Sequence, residues 1–413
     1  MKNLFYILAF AALLSAADAA AAENVSVTCK QRWPWNGKVD IDYTLPPSSE
    51  TSPVYSVKFY GKDENGQFPL VSLEGEGACG IVLSSGSKRV TWDSSVDRPG
   101  TNAGDFKIGA AVEDITSKAR YLYYSIEHKT MTPSLTPPDV SIQDVKTKMI
   151  WFRRIEPATF VMGSQESETG HFDNKNNEAQ HSVTLTKAFY LSIFEVTQGQ
   201  FVRLTGENPS MIGRVSAEAL GNADNSIPVN GVSYAALRGA DFGASWPNET
   251  DYRVDQDSYL GKIRKHARNG FVFDIPTEAQ WECACRAGTE TTFNDGSDWL
   301  NDTNTVQNSD LDRLGWYRSN ANGALHSVGQ KLPNNYFLFD MHGNVWEWCL
   351  DNYAVDNTSY TLDPAGPANG NGNRMVRGGA YDEWAVRCRS ARRMSASAKS
   401  ANNNKGFRLM LTN

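Results

Sequence analysis

The chain has 413 residues and a formal charge of −7, from 40 lysines and arginines against 47 aspartates and glutamates. Both signs are mixed along its whole length, which argues against nucleic acid as the natural partner. After its start, no stretch reaches the roughly 20 apolar residues of a membrane span, and a chain of this size exceeds one ordinary core, so two domains are expected.

The opening residues carry Lys2, an apolar run from Leu4 to Leu14, and an A-x-A stretch at Ala17-Asp18-Ala19 followed by alanines to Ala22. The run is too short for a span and has small residues after it, so 1–22 reads as a secretory signal peptide and the protein as periplasmic or secreted. From 23 to 129, short period-two runs follow one another, among them Val39–Leu45, Val54–Gly61 and Lys88–Asp93. Clusters such as Pro46-Pro47-Ser48 and Arg98-Pro99-Gly100 separate them, so an antiparallel β-sandwich is expected. Gln31–Asp40 holds two tryptophans and a proline and reads as a plug over one end of the sheets. The polar, proline-marked residues 130–140 read as a linker to a second domain, 141–413.

There are six cysteines, and an even number in an exported chain points to disulfides. Cys29 and Cys79 would staple the N-terminal third. Cys283-x-Cys285 lacks the gap of a zinc knuckle and has no paired histidines near it, so zinc is not expected.

Asp340–Trp348, DMHGNVWEW, follows neither helix nor strand period and indicates an irregular, liganded turn. Asp340 and Glu347 offer hard carboxylate oxygens that suit calcium better than zinc or copper. A buried tryptophan turn with Glu347 bonded to backbone amides is the alternative.

Blocks at Arg153–Ser164, His181–Phe201, Ile227–Leu237, Ile275–Thr289, Asp340–Trp348, Met375–Trp384 and Gly406–Leu409 together resemble the sulfatase-modifying factor domain, the family of formylglycine-generating enzymes. The resemblance covers the second domain. It implies a variant of the C-type-lectin-like fold, poor in regular secondary structure, so the whole chain is expected to be α+β. It also implies a structural calcium held by Asp340, Gly343, Val345 and Glu347.

The family's aerobic enzymes oxidise a cysteine of a sulfatase segment, using copper held by two cysteines after a GGS-aromatic turn. Here the turn is Gly378-Gly379-Ala380-Tyr381, and Asp382 and Glu383 follow it. Copper(I) needs soft thiolates, so copper is not expected. Cys388 reads as structural, with Cys285 as its partner and Cys349 and Cys283 as competitors. Relatives with non-haem iron rely on paired histidines. None of the six histidines here lies at i, i+3 or i+4 to another, and a triad from His171 or His181 with Asp173 or Glu178 is the remaining arrangement.

The competing class is a binding module. Trp346, Tyr381, Asp382, Glu383, Trp384, Arg389 and Arg393 would line a groove for a peptide, a protein or a small anionic ligand. Alternatively, these arginines stack in a tryptophan-rich core and satisfy backbone carbonyls. The expected function is a calcium-stabilised binding or accessory module without formylglycine-generating activity. The alternatives are a diverged oxidoreductase of the family and a ligand-display protein diversified by a retroelement. Nothing in the sequence sets the oligomeric state.

Overall fold

The computed structural model describes residues 23–412 apart from 33–36, 49–51, 65, 100–105, 173–176, 215–225, 240–252, 368–369 and 371. The expected signal peptide and the Trp33-Pro34-Trp35 part of the plug lie outside the described residues.

The N-terminal third forms two antiparallel sheets. One joins β1 (Glu23–Val25), β9 (Lys107–Asp114), β4 (Tyr55–Asp63) and β5 (Gly66–Pro69) in that order, with β7 (Ile81–Val82) also on β4. The other runs β2 (Val27–Gln31), β3 (Lys38–Leu45), β8 (Gly86–Asp93), β6 (Leu73–Gly75). Period-two alternation decides which residues turn inward. Val39, Ile41, Tyr43 and Leu45 of β3 meet Tyr55, Val57 and Phe59 of β4, with Trp92 of β8 and Val112 of β9, in one apolar cluster.

A six-stranded sheet organises the rest. Its order is β11 (Thr130–Ser134), β10 (Tyr121–Ser125), β12 (Met149–Ile155), β15 (Phe189–Ser192), β21 (Met410–Thr412), β16 (Val272–Asp274). Residues 121–134 therefore belong to this sheet, and Thr130–Ser134 is a strand where a linker was expected. The prolines misled because β11 is an edge strand, where Pro133 opposite Leu122 costs no central ladder bond. The two parts are packed together, since Val54, Cys79, Ile81 and Leu83 share a cluster with Tyr124, Ile150 and Phe273. Gly75 N–H also donates to Arg268 O at 2.7 Å across the seam.

Further strands are β13 (Ala158–Met162) paired with β14 (His181–Leu185), and a sheet ordered β19 (Met394–Ser397), β18 (Asn373–Arg377), β17 (Trp346–Asn352), β20 (Lys405–Gly406). Helices are short: α1 (Ser94–Asp97), α2 (Gln143–Thr147), α3 (Gln198–Thr205), α4 (Tyr234–Arg238), α5 (Tyr259–His266), α6 (Glu278–Arg286) and α7 (Leu311–Leu314). Thr277 and Gln280 close a capping box on α6, which satisfies its first amides and fixes where Glu278, Trp281 and Glu282 point. Among the described residues no helix is long and apolar enough to cross a membrane.

The six cysteines are free thiols, so the expected Cys29–Cys79 and Cys285–Cys388 bridges are not formed. Cys29 is exposed on edge strand β2, while Cys79 is buried at the seam with its thiol 3.3 Å from Ala267 O. Cys285 packs on α6 beside Met341, and Cys388 lies in a separate cluster with Phe293, Trp299 and Tyr317.

Candidate functional site

The Asp340–Trp348 turn is built from left-handed residues, with φ of 55° at Asp340, 106° at Gly343 and 58° at Asn344. Gly343 is required, because a Cβ there would lie 2.1 Å from Trp316 O. Gly343 N–H donates to Gly378 O at 2.7 Å, tying this turn to the Gly378-Gly379 turn. Glu195 fixes the next two residues, accepting from Asn344 Nδ2 at 2.7 Å and Val345 N–H at 3.0 Å.

Glu347 is buried, and the two ends of its carboxylate meet Arg408 Nη2 and Nε, each at 2.6 Å, while Trp281 Nε1 donates to it at 2.7 Å. Asp340 is buried too. Its Oδ2 accepts from Gly329 N–H at 2.7 Å, and its Oδ1 has no donor. Burial pushes the Asp340 carboxyl up to about 6. Burial, then Asp340 and Glu347, raises Glu195 well above the usual carboxylate range. Asp340, Glu195 and Glu347 thus share the field of the Arg408 guanidinium, with Lys146 and Lys331 also acting on Asp340.

The turn after Gly378 separates into two parts. A Cβ at Gly379, φ 81°, would lie 2.4 Å from Cys388 Sγ, so the thiol seals against bare backbone. Asp382 accepts from Asn404 Nδ2 at 3.1 Å, and Glu383 takes Trp346 Nε1 and Arg387 Nε, both at 3.3 Å. Trp384 is 37% exposed, with the Arg318 guanidinium 4.2 Å from its ring centre. Further along, Arg389 is buried on Glu168 at 2.5 Å, Glu178 at 2.9 Å and Gly170 O at 2.6 Å. Arg393 is buried on Glu278 at 2.7 and 2.9 Å and on the carbonyls of Asn177, Ala354 and Val355.

The expected groove is corrected accordingly. Arg389 and Arg393 are core cations, as the alternative reading had it, and Trp346 and Tyr381 are buried. Asp382, Glu383 and Trp384 remain at the surface, and Arg318, absent from the expected set, joins them. Glu178 is engaged by Arg389 and Arg392, and His171 Nδ1 lies 2.8 Å from Ser164 Oγ. Asp173 lies outside the described residues. Among the described residues no group of three His, Cys, Asp or Glu side chains is spaced to hold a metal ion on side chains alone.

The sequence profile of the sulfatase-modifying factor enzyme 1-like domain matches residues 142–413. The chain belongs to this family. It is 35% identical over 288 residues to the formylglycine-generating enzyme of Streptomyces coelicolor, covering 62% of this chain and 87% of that one. It is 26% identical over 279 residues to serine/threonine-protein kinase pkn1 of Chlamydia caviae, covering 65% of this chain and 39% of that relative's length. Among solved structures, Treponema denticola variable protein 1 superimposes with a TM-score of 0.49 at 24% identity, over 64% of this chain and 95% of the other.

Within this sulfatase-modifying factor domain, the residues missed in the sequence were Glu195 and Arg408, each inside a block that had been singled out. An acid or arginine within a dense motif carries no mark of its partner, which lies over 60 residues away for Arg408 and Glu347. His342 was also missed as an anchor. Its Nδ1–H donates to Cys388 O at 2.7 Å and Asn294 N–H donates to its Nε2 at 3.3 Å, pinning one turn to the other.

Proposed function

We propose that this chain is an exported binding or accessory protein of the sulfatase-modifying factor family that does not make formylglycine. In this reading the N-terminal sheets form a β-sandwich and calcium stiffens the C-terminal domain. The observation that carries it is the chemistry after Gly379. Asp382 and Glu383 are carboxylates already engaged by Asn404, Trp346 and Arg387, and Cys388 is a single buried thiol whose pKa burial drives up. A two-sulfur copper site does not fit that donor set. Calcium does fit at Asp340, whose Oδ1 is buried without a donor. Asp340 and a remaining lone pair of Glu347 would hold it, completed by the Gly343 and Val345 carbonyls. Calcium there would supply only charge and cross-linking. Ligand contact is assigned to Trp384, Asp382, Glu383, Arg318 and Arg387, an aromatic plate with charges of both signs that suits a peptide or protein strand with an acidic group.

A second reading, a diverged oxidoreductase, is favoured by the 35% identity to the Streptomyces enzyme over most of that enzyme's length. Elemental analysis of the purified protein after exposure to calcium, copper and iron decides between them. Calcium alone, retained through dialysis and reduced in Asp340→Ala, is the expected result. Stoichiometric copper or iron would overturn the binding reading.

A further inference from the structure

We propose that the face of the six-stranded sheet around Arg153 binds an acidic polysaccharide, with the guanidinium taking a carboxylate or sulfate and the aromatic rings beside it taking sugar rings. The inference stands apart from the binding reading above, since none of these residues belongs to the Trp384 surface. Strands β10 and β11 lie outside the matched residues 142–413 and extend the family domain's sheet from β12. At that join Tyr121 stands opposite Arg153 and Tyr123 opposite Trp151.

The Arg153 guanidinium lies 5.2 Å from the Tyr121 ring centre and 5.7 Å from that of Tyr336, so two rings hold it in place. Tyr123 and Trp151 stack with their centres 4.6 Å apart and their planes at 26°. Tyr123, Trp151, Arg153 and Tyr336 are all half-buried. Arg153 has one acceptor among the described residues, Arg120 O at 3.2 Å from Nη1, and its Nε meets none. Its Nε–Nη2 edge, the side-on fork that a carboxylate or sulfate fills with two oxygens, is therefore unfilled. Trp151 Nε1–H likewise meets no acceptor.

The surrounding charges fit an anion. Arg120 acts on Arg153 as a like charge, and Arg154 follows it on the opposite face of the strand. Glu156 is the carboxylate that acts most strongly on Arg153, and it pairs with Arg154 at 2.7 Å. Burial, with Arg120 beside it, lowers the Arg153 guanidinium from its usual value, as expected of a cation without its anion. The polymer is a glycan rather than a peptide strand because no backbone ladder is open here: β10 lies between β11 and β12, and β12 between β10 and β15. Recognition falls to side chains. Rings and donors at alternate strand positions, roughly 7 Å apart, match units that present an apolar ring face and polar oxygens in turn.

The test is calorimetric titration of the full chain with hexasaccharides of one backbone: unsulfated chondroitin, its sulfated form, and its carboxyl-reduced, neutral form. An acidic form should bind about tenfold or more tightly than the neutral one. Binding of the unsulfated form would assign the fork to carboxylate, and binding of the sulfated form alone would assign it to sulfate. Arg153→Lys keeps the charge and loses the fork, and should weaken acidic binding about tenfold. Arg89→Ala, which removes an exposed arginine of the N-terminal sheets, should bind as the wild type does. If Arg153→Lys also lowers Tm, the comparison of acidic with neutral forms on the wild type still decides. Acidic and neutral forms bound alike, no binding of any form, or equal losses in Arg153→Lys and Arg89→Ala would overturn the proposal.

Discussion

The two parts of this molecule are held together by different means. In the N-terminal sheets most charges stay outside, as with Arg89 and Asp42, whose side chains are 56% and 41% exposed, and Asp40 is buried only at the margin, where Arg32 meets it; the interior is apolar alternation around Ile41 and Trp92. In the C-terminal domain the charges are inside: Arg238 with Asp274, Arg286 and Arg377 with Glu282, Arg389 with Glu168 and Glu178, Arg393 with Glu278, and Arg408 with Glu347. A sheet satisfies its own backbone amides. An irregular chain does not, and buried guanidiniums, each with five donors in a fixed fork, supply what the missing ladders would have supplied. Arg393 illustrates this by serving three carbonyls besides Glu278.

Breaking one of these buried pairs should have the largest effect. Arg389→Met leaves Glu168 and Glu178 without their shared cation and should cost about 3–5 kcal/mol in urea unfolding. The two glutamates differ. Burial raises Glu168 in spite of Arg389, whereas at Glu178 burial is outweighed by Arg389 and Arg392 and the carboxyl is held low. Glu168→Gln should therefore be the milder substitution of the two. A loss under about 1 kcal/mol for Arg389→Met would mean that the buried pairs do not carry the second domain.

A smaller effect follows from His342. Burial lowers its pKa to about 4, so the folded state binds fewer protons than the unfolded state between about 6.5 and 4. Its contribution is complete above the unfolded value and is lost as pH falls through the folded one, amounting to about 3 kcal/mol. The urea midpoint of the wild type should fall more steeply than that of His342→Gln over this window. Equal slopes would show that the imidazole linking Asn294 to Cys388 takes up its proton over the same pH range in the folded and the unfolded chain.

The same contrast explains what the sequence disclosed. Alternation marked β3, β4 and β8 because an apolar interior writes its pattern locally, every second residue. The C-terminal domain was legible only as motif blocks, since a pair such as Arg389 with Glu168 spans 221 positions and leaves no local period. Its arginines looked like groove residues for that reason, and only Trp384 and its two acidic neighbours stayed near the surface. The cysteine pairs failed similarly, because an even count says nothing about which thiols the fold brings together. Strand β11 was misread because proline reports a constraint on the backbone without saying whether that backbone lies at a sheet edge.

The N-terminal sheets should respond to packing rather than to charge. Ile41→Val removes one methylene from the inter-sheet cluster and should cost about 0.5–1.5 kcal/mol. Arg89→Ala removes both cation and fork from the Asp42 pair on the adjacent positions of β3 and β8, where solvent screens the charges and the long side chain must be ordered to make the contact. Its Tm should match the wild type within the error of a calorimetric scan, at low salt as well as high. A clear loss that disappears in high salt would show that surface charge pairs share in holding these sheets, and would place the two parts of the molecule on one footing.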